Sequence, residues 1–271
     1  PARDRAFFAD PEKASLLSLA TAVEEVTPLI GTELQGVQLS KLTDQQKDEL
    51  ALLVAERGVV FFRDQDITLD QQHALASYYG IVRQQLNMND ARNLHVGSLP
   101  VVSKIETPTN KILGTSEWHG DHSFEVNPPS YTLLRMVKTP PSGGDTIFTS
   151  QTGLYDALSP AFQRAIEGLH GVHSSDKTYL ASINGGGTPH RAPIVTAHPL
   201  VRTHPVTRLK SLFYNPHFVD RIQELNAQES HHILAFLREH LSNADDLTVR
   251  WKWTPRAVAF WDNRIIAHKA V

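Results

Sequence analysis

The chain has 271 residues, 41% of them hydrophobic and 20% charged, an ordinary balance for a folded globular protein. Its 26 Lys and Arg against 29 Asp and Glu leave a net charge of −3, which argues against a nucleic-acid partner needing a basic face. Cysteine is absent, so disulfides, thiolate metal sites and cysteine nucleophiles are excluded.

No apolar run approaches the ~20 residues of a membrane span, so no membrane partner is expected. The first twelve residues are charged and lack an apolar core segment, which sets a cytoplasmic location as the expectation. The length suits a single domain over residues 1–271. A homo-oligomer is left open.

In chain order, the first third reads as mixed α/β. Thr43-Asp-Gln-Gln46 has the spacing of a capping box and opens a helix to Arg57, closed by Gly58. Val59 to Phe62 reads as a buried strand. Thr68-Leu-Asp-Gln71 repeats the capping box before a second helix towards Tyr79 and Gly80.

The remainder is mostly strand-like with two helices inserted. Tyr131 to Lys138 is a predicted strand, and Pro140-Pro-Ser-Gly-Gly144 a turn. Ser159-Pro160 starts one helix, running to about Leu169; Asn226 with Glu229 caps the other, running through Leu241. Leu247 to Trp253 alternates apolar and polar, and Ala257 to Trp261 is an apolar strand. Strands with helices packed beside them suggest an α+β domain built on an antiparallel sandwich or barrel.

The segment richest in chemistry is Thr115-Ser-Glu-Trp-His119-Gly-Asp121. On an extended strand, residues two apart project from one face, so His119 and Asp121 can grip one ion together. Two histidines and one carboxylate suit Fe(II) and leave coordination positions open. A His-x-Asp pair also arises by chance. The second histidine, His268, follows Trp261-Asp-Asn-Arg264, where Asp262, Asn263 and Arg264 are candidates to hydrogen-bond and orient its ring; alternatively they satisfy backbone at a strand end. His122 is expected on the opposite face of the strand, in a structural role. Asn184-Gly-Gly-Gly187 lacks the spacing of a phosphate loop and reads as a connection or lid over the site.

Six blocks in order carry a wider resemblance: Thr27 to Gly36, Arg57 to Gln65, Trp118-His-Gly-Asp121, Gly143-Gly-Asp-Thr-Ile-Phe-Thr-Ser150, His198 to Pro205, and Trp261-Asp-Asn-Arg264 with His268. With these the chain resembles the taurine dioxygenase family, which includes the 2,4-dichlorophenoxyacetate dioxygenases. The resemblance implies a double-stranded β-helix, or jelly roll, within the α+β class. It also implies Fe(II), 2-oxoglutarate as co-substrate, and O₂. His119, Asp121 and His268 would be the catalytic metal ligands, and Thr146 would bond the distal carboxylate of 2-oxoglutarate. Alone, Thr146 reads better as a plain β-branched strand residue after a turn.

The same resemblance implies decarboxylation of 2-oxoglutarate to succinate with hydroxylation of a small-molecule substrate. By family analogy that substrate is anionic: a sulfonate, alkyl sulfate or aryloxy-acid. A carboxylate at Asp121 argues for hydroxylation over halogenation. Thr115, Thr178, Tyr179 and Phe213 would line the substrate pocket, with Phe213 and Tyr179 equally readable as core aromatics. Thr115 stands where taurine dioxygenase has asparagine, and the segment Arg83 to His95 lacks its His and Tyr pair, which sets taurine itself in question. The family's 2-oxoglutarate-binding arginine would fall past Val271, so a C-terminal tail beyond this sequence is expected. A tailoring oxygenase of secondary metabolism and a non-catalytic binding protein on the same scaffold are the alternatives.

Overall fold

A computed structural model describes residues 3–80, 117–184 and 192–271. A short helix α1 (Ala14–Leu17) leads into the hairpin of β1 (Ala22–Glu25) and β2 (Thr32–Gln35). Helix α2 (Asp44–Arg57) then carries the chain across to β3 (Val59–Phe62), which pairs parallel with β2. The capping box of α2 is formed, with the Gln46 amide donating to Thr43 Oγ1 and the Thr43 amide to Gln46 Oε1. Its end is set by Gly58, whose φ of 73° lies in the left-handed region. A Cβ there would come within 2.6 Å of Ile266 Cδ1, so both backbone and packing require glycine. The second capping box, Thr68 with Gln71, opens α3 (Leu69–Tyr79) as predicted.

After residue 117 come β4 (Tyr131–Arg135), β5 (Thr146–Ser150), α4 (Gln151–Asp156), α5 (Pro160–Ile166) and β6 (His170–Ser174). Next are α6 (Asp176–Asn184), β7 (Val195–Pro199), β8 (Val201–Thr203), β9 (Lys210–Leu212) and β10 (Val219–Ile222). The chain closes with α7 (Ala227–Ser242), β11 (Thr248–Trp251), β12 (Val258–Asp262) and β13 (Ile266–Ala270). The second part of the chain thus holds four helices among the described residues, not the expected two. The short α4 starts directly after β5, with Ser150 Oγ accepting from the Gly153 amide, and α6 follows β6 after one residue. The predicted strand at 131–138 stops at Arg135, and α5 stops at Ile166.

Two sheets build the core: β1-β2-β3-β12-β4 and β11-β5-β13. The strand period of two divides the apolar residues of β3 and β12 cleanly between two layers. Val59, Phe61, Ala259 and Trp261 face the second sheet and meet Phe148, Val249, Trp251 and Ile266. Val60, Phe62, Val258 and Phe260 face the other way, onto Leu50, Leu53 and Val54 of α2 and Leu75 of α3. Phe61 stacks on Trp251 with ring centres 3.9 Å apart, a pair that adds about 0.5–1.5 kcal/mol beyond the area it buries.

The outer side of the second sheet offers Ile147 and Ala267 to Leu154, Leu237 and Leu241 of α4 and α7. A three-stranded sheet, β10-β6-β7, and the β8-β9 hairpin complete the strands. Two sheets facing across an aromatic core, with helices outside, form the expected α+β double-stranded β-helix core.

Candidate metal centre

His119 and His268 are joined by an isolated antiparallel bridge. The His119 amide donates to the His268 carbonyl at 3.0 Å, and the reverse bond is 2.8 Å. Directly opposed residues in such a pair project to the same side, so the bridge sets the two imidazoles side by side, ring centres 4.3 Å apart.

Asp121 does not share a strand with His119, contrary to the sequence expectation. The chain leaves the bridge at Gly120 and turns over residues 121–124. That turn brings Asp121 Oδ1 within 3.9 Å of His119 Nε2 and 3.6 Å of His268 Nε2. The three donor atoms lie within 4.8 Å of one another. His122 likewise does not face away on a strand; it occupies the turn at φ 48°, its ring against Phe124.

Polar bonds from distant parts of the chain hold the turn. The Gly120 amide donates to Asn215 Oδ1 at 2.6 Å, and a side chain at Gly120 would press on that same oxygen. The Asp121 amide donates to Asn263 Oδ1 at 3.2 Å. Thr132 Oγ1 donates to Asp121 Oδ2 at 2.7 Å and accepts from Asn263 Nδ2, also at 2.7 Å. The Trp261 indole N–H fixes Asn263 from behind. Thr132 and Asn215 were not singled out by sequence, and no local pattern marks them.

Asn263 therefore orients the carboxylate segment, whereas Asp262 and Arg264 pair with His204 and each other. None of the three hydrogen-bonds the His268 ring, so that part of the sequence reading is corrected. His268 Nδ1 is buried without a hydrogen-bond partner among the described residues. Its ring is held by packing instead, against Trp261 at 4.9 Å and Phe148 at 5.9 Å.

The donor set fits a divalent metal. His119 Nδ1–H donates to the Glu117 carbonyl at 2.8 Å, which leaves the Nε2 lone pair directed at the cluster. Burial, reinforced by His119, pushes the His268 pKa down to about 3, so this ring is neutral with a lone pair available to a metal. Burial alone would raise the Asp121 pKa, but His268, His119 and His122, with the Thr132 hydroxyl, bring it below the ordinary value.

Thr146 is buried at the start of β5 and shares a strand face with Phe148, whose register partner on β13 is His268. Its hydroxyl oxygen accepts from the Trp253 indole at 2.9 Å, leaving its own O–H free to donate. Thr178 bonds His217 Nε2 at 3.3 Å, and the His217 ring lies 6.1 Å from that of His119. Tyr179 is half-buried on α6. Phe213 is buried with its ring against His173 and His198 and beneath the Arg202 guanidinium. The aromatic edge beside His119 belongs to Phe218, 6.3 Å away, which sequence reasoning missed. Thr115, the segment from Arg83 to His95, and the glycines after Asn184 lie outside the described residues.

Two imidazoles and one carboxylate gathered on one side of a jelly-roll core define the class of non-haem Fe(II) oxygenases. The family model for taurine catabolism dioxygenases, TauD and TfdA, matches residues 22–271, and the chain belongs to that family. It is 40% identical over 98% of its length to a Schizosaccharomyces pombe protein provisionally described as an alpha-ketoglutarate-dependent sulfonate dioxygenase. It is 38% identical over 92% of its length to the alpha-ketoglutarate-dependent sulfonate dioxygenase of Saccharomyces cerevisiae. The chain spans 69% and 62% of these two relatives. A crystal structure of a taurine dioxygenase from Burkholderia xenovorans superposes with a TM-score of 0.74 at 32% identity, covering 92% of this chain and 82% of that one. The protein is an Fe(II)- and 2-oxoglutarate-dependent dioxygenase acting on a small substrate. No helix among the described residues is long and apolar enough to cross a membrane.

Proposed function

We propose that His119, Asp121 and His268 hold the iron, that Thr146 bonds 2-oxoglutarate, and that the substrate is a small organic anion, a sulfonate first. The convergence of the three donor atoms within 4.8 Å carries the reading. Iron and 2-oxoglutarate, when bound, supply the oxygen activation needed to oxidise an unactivated C–H bond.

The chain's own part is orientation. Neutral His268 and ionised Asp121 offer lone pairs at fixed positions, and the bonds from Thr132 and Asn263 keep the carboxylate from swinging away. Phe148, Trp251 and Trp261 form a dry wall behind the ligands. Thr146, one two-residue step along β5 from the residue facing His268, presents a free hydroxyl proton suited to a carboxylate.

The sulfonate class is supported by the names of the two yeast relatives. Thr178, half-buried and joined through His217 to the neighbourhood of His119, is assigned to the anionic head group. Tyr179 and Thr115 are assigned to the same pocket by family position. Phe213 serves it from beneath as packing, with Phe218 as the aromatic wall. Hydroxylation of the carbon bearing a sulfonate gives an adduct that expels sulfite and leaves an aldehyde.

The test is succinate and sulfite release with Fe(II), 2-oxoglutarate and a panel of alkyl sulfonates, alkyl sulfates and aryloxy-acids. Stoichiometric succinate and sulfite with sulfonates support the proposal. Substrate-independent succinate across the whole panel would sink it.

A further inference from the structure

We propose that Asp4, outside the matched part of the family, is a positioning residue for Asp121; this rests on reading Asp121 as an iron ligand. Asp4 reaches two residues of the jelly roll at once. The Tyr131 hydroxyl donates to Asp4 Oδ1 at 2.9 Å, and Arg264 donates to Asp4 Oδ2 at 2.7 Å. Both ends of the ion pair are well shielded, with side chains 10% and 17% exposed. That sets it apart from the exposed pairs that contribute little.

The two partners are not arbitrary. Tyr131 precedes Thr132, and Arg264 follows Asn263. Thr132 and Asn263 are the two residues bonded to Asp121, and they are bonded to each other. Asp4 thus closes a second loop of hydrogen bonds one residue outside the loop that grips the carboxylate. The Arg264 guanidinium lies over the Tyr131 ring at 4.9 Å and also binds Asp262, itself held by His204 at 3.0 Å. Removing Asp4 leaves the partly buried Arg264 and the Tyr131 hydroxyl each short of a partner, at the point where β4 meets the turn after β12.

The segment carrying Asp4 is independently anchored. Asp4 Oδ1 caps the 3-10 turn Arg5–Phe8, and Arg5 binds Asp48 on α2 at 2.7 and 2.8 Å. This second anchor packs on α2 and provides a control, because it holds the same segment through residues unconnected to the Asp121 bonds.

Asp4→Asn, Tyr131→Phe and Asp48→Asn in the full chain would separate positioning from general stability. The readouts are melting temperature and anaerobic metal affinity, with Co(II) and its visible spectrum as probe alongside Fe(II). Asp4→Asn should weaken metal binding about 3–10-fold, below the 10–100-fold typical of groups bonded directly to a ligand. Tyr131→Phe, which keeps the ring and deletes the hydroxyl shared between the two Asp4 oxygens, should shift affinity the same way by less. Asp48→Asn should lower the melting temperature and leave metal affinity alone. Unchanged affinity in both Asp4→Asn and Tyr131→Phe, or equal weakening in Asp48→Asn, would overturn the proposal. Retained affinity in Asp121→Ala would instead overturn the ligand assignment beneath it.

Discussion

His119 and His268, 149 positions apart in the chain, exchange both backbone hydrogen bonds across a single antiparallel bridge. The bridge is made by main chain alone, so it survives loss of either imidazole. His119→Ala is therefore expected to fold with an apo melting temperature near that of the parent and to lose Fe(II) binding. The parent, by contrast, gains stability from metal: about 2.7 kcal/mol at a hundredfold excess over Kd, or roughly 5–10 °C in melting temperature. Chelator should remove that increment from the parent and change nothing in the variant. A metal-dependent rise that persists in His119→Ala would contradict the assignment.

The Asp121 carboxylate is held less directly. Thr132→Val keeps shape but removes the hydroxyl that donates to Asp121 Oδ2 and accepts from Asn263. The carboxylate then loses its orientation and the Asn263 amide its acceptor. We expect Fe(II) affinity to fall about 10–100-fold with the fold retained, and Thr132→Ser to recover most of it. Anaerobic titration, followed by the visible band of the iron–2-oxoglutarate chelate, reads the difference.

These holding contacts explain what sequence could and could not reveal. Thr43 with Gln46 and Asn226 with Glu229 are local pairs three residues apart, so the helices they open were legible. His119 and Asp121 were legible as a candidate pair from residue type and spacing, whereas His268 joined them only through the family resemblance carried by Trp261-Asp-Asn-Arg264. The support around them was not legible: the partners of residues 120 and 121 lie 95, 142 and 11 positions away, and nothing in a threonine or asparagine advertises such a partner. Asp121 was assigned to a strand because strand periodicity predicts the same convergence that a tight turn achieves. β6 (His-Gly-Val-His-Ser) and β7 (Val-Thr-Ala-His-Pro) carry few apolar residues, and β8 and β9 have three residues each, so no apolar alternation marks them.

Acid should destabilise the protein in two overlapping windows. Buried His173 has its pKa pushed down to about 3 by burial, with His198 and Arg202 adding to the effect. The unfolded chain takes up this proton near pH 6.5 and the folded chain only near 3, so stability falls as pH drops through that interval. His268 behaves alike in the metal-free protein. Asp262 acts lower down. Burial opposes its charge, but Arg264 and the bond to His204 prevail and hold it at about 2. Its stabilisation is complete above the unfolded value of about 4 and is lost as pH falls towards 2. Melting temperature of the apo form against pH should decline from about 6.5 and steepen below about 4. His173→Gln should flatten only the upper part; an unchanged profile would refute the role given to burial.

Substitution of Thr146 tests the proposed co-substrate site apart from the metal site. The Thr146 oxygen accepts from the Trp253 indole, and its own proton stays free to donate to a carboxylate. A hydrogen bond to a charged group is worth about 1.5–3 kcal/mol, equivalent to roughly 10–100-fold in affinity. Thr146→Val should raise the KM for 2-oxoglutarate by that factor and leave Fe(II) affinity near the parent value, because no metal donor atom touches Thr146. Thr146→Ser should restore the KM, since the proton is present again. The metal-affinity measurement makes the result interpretable: a variant that loses iron and 2-oxoglutarate together would place Thr146 in the barrel's structure, whereas loss of 2-oxoglutarate alone requires a direct bond.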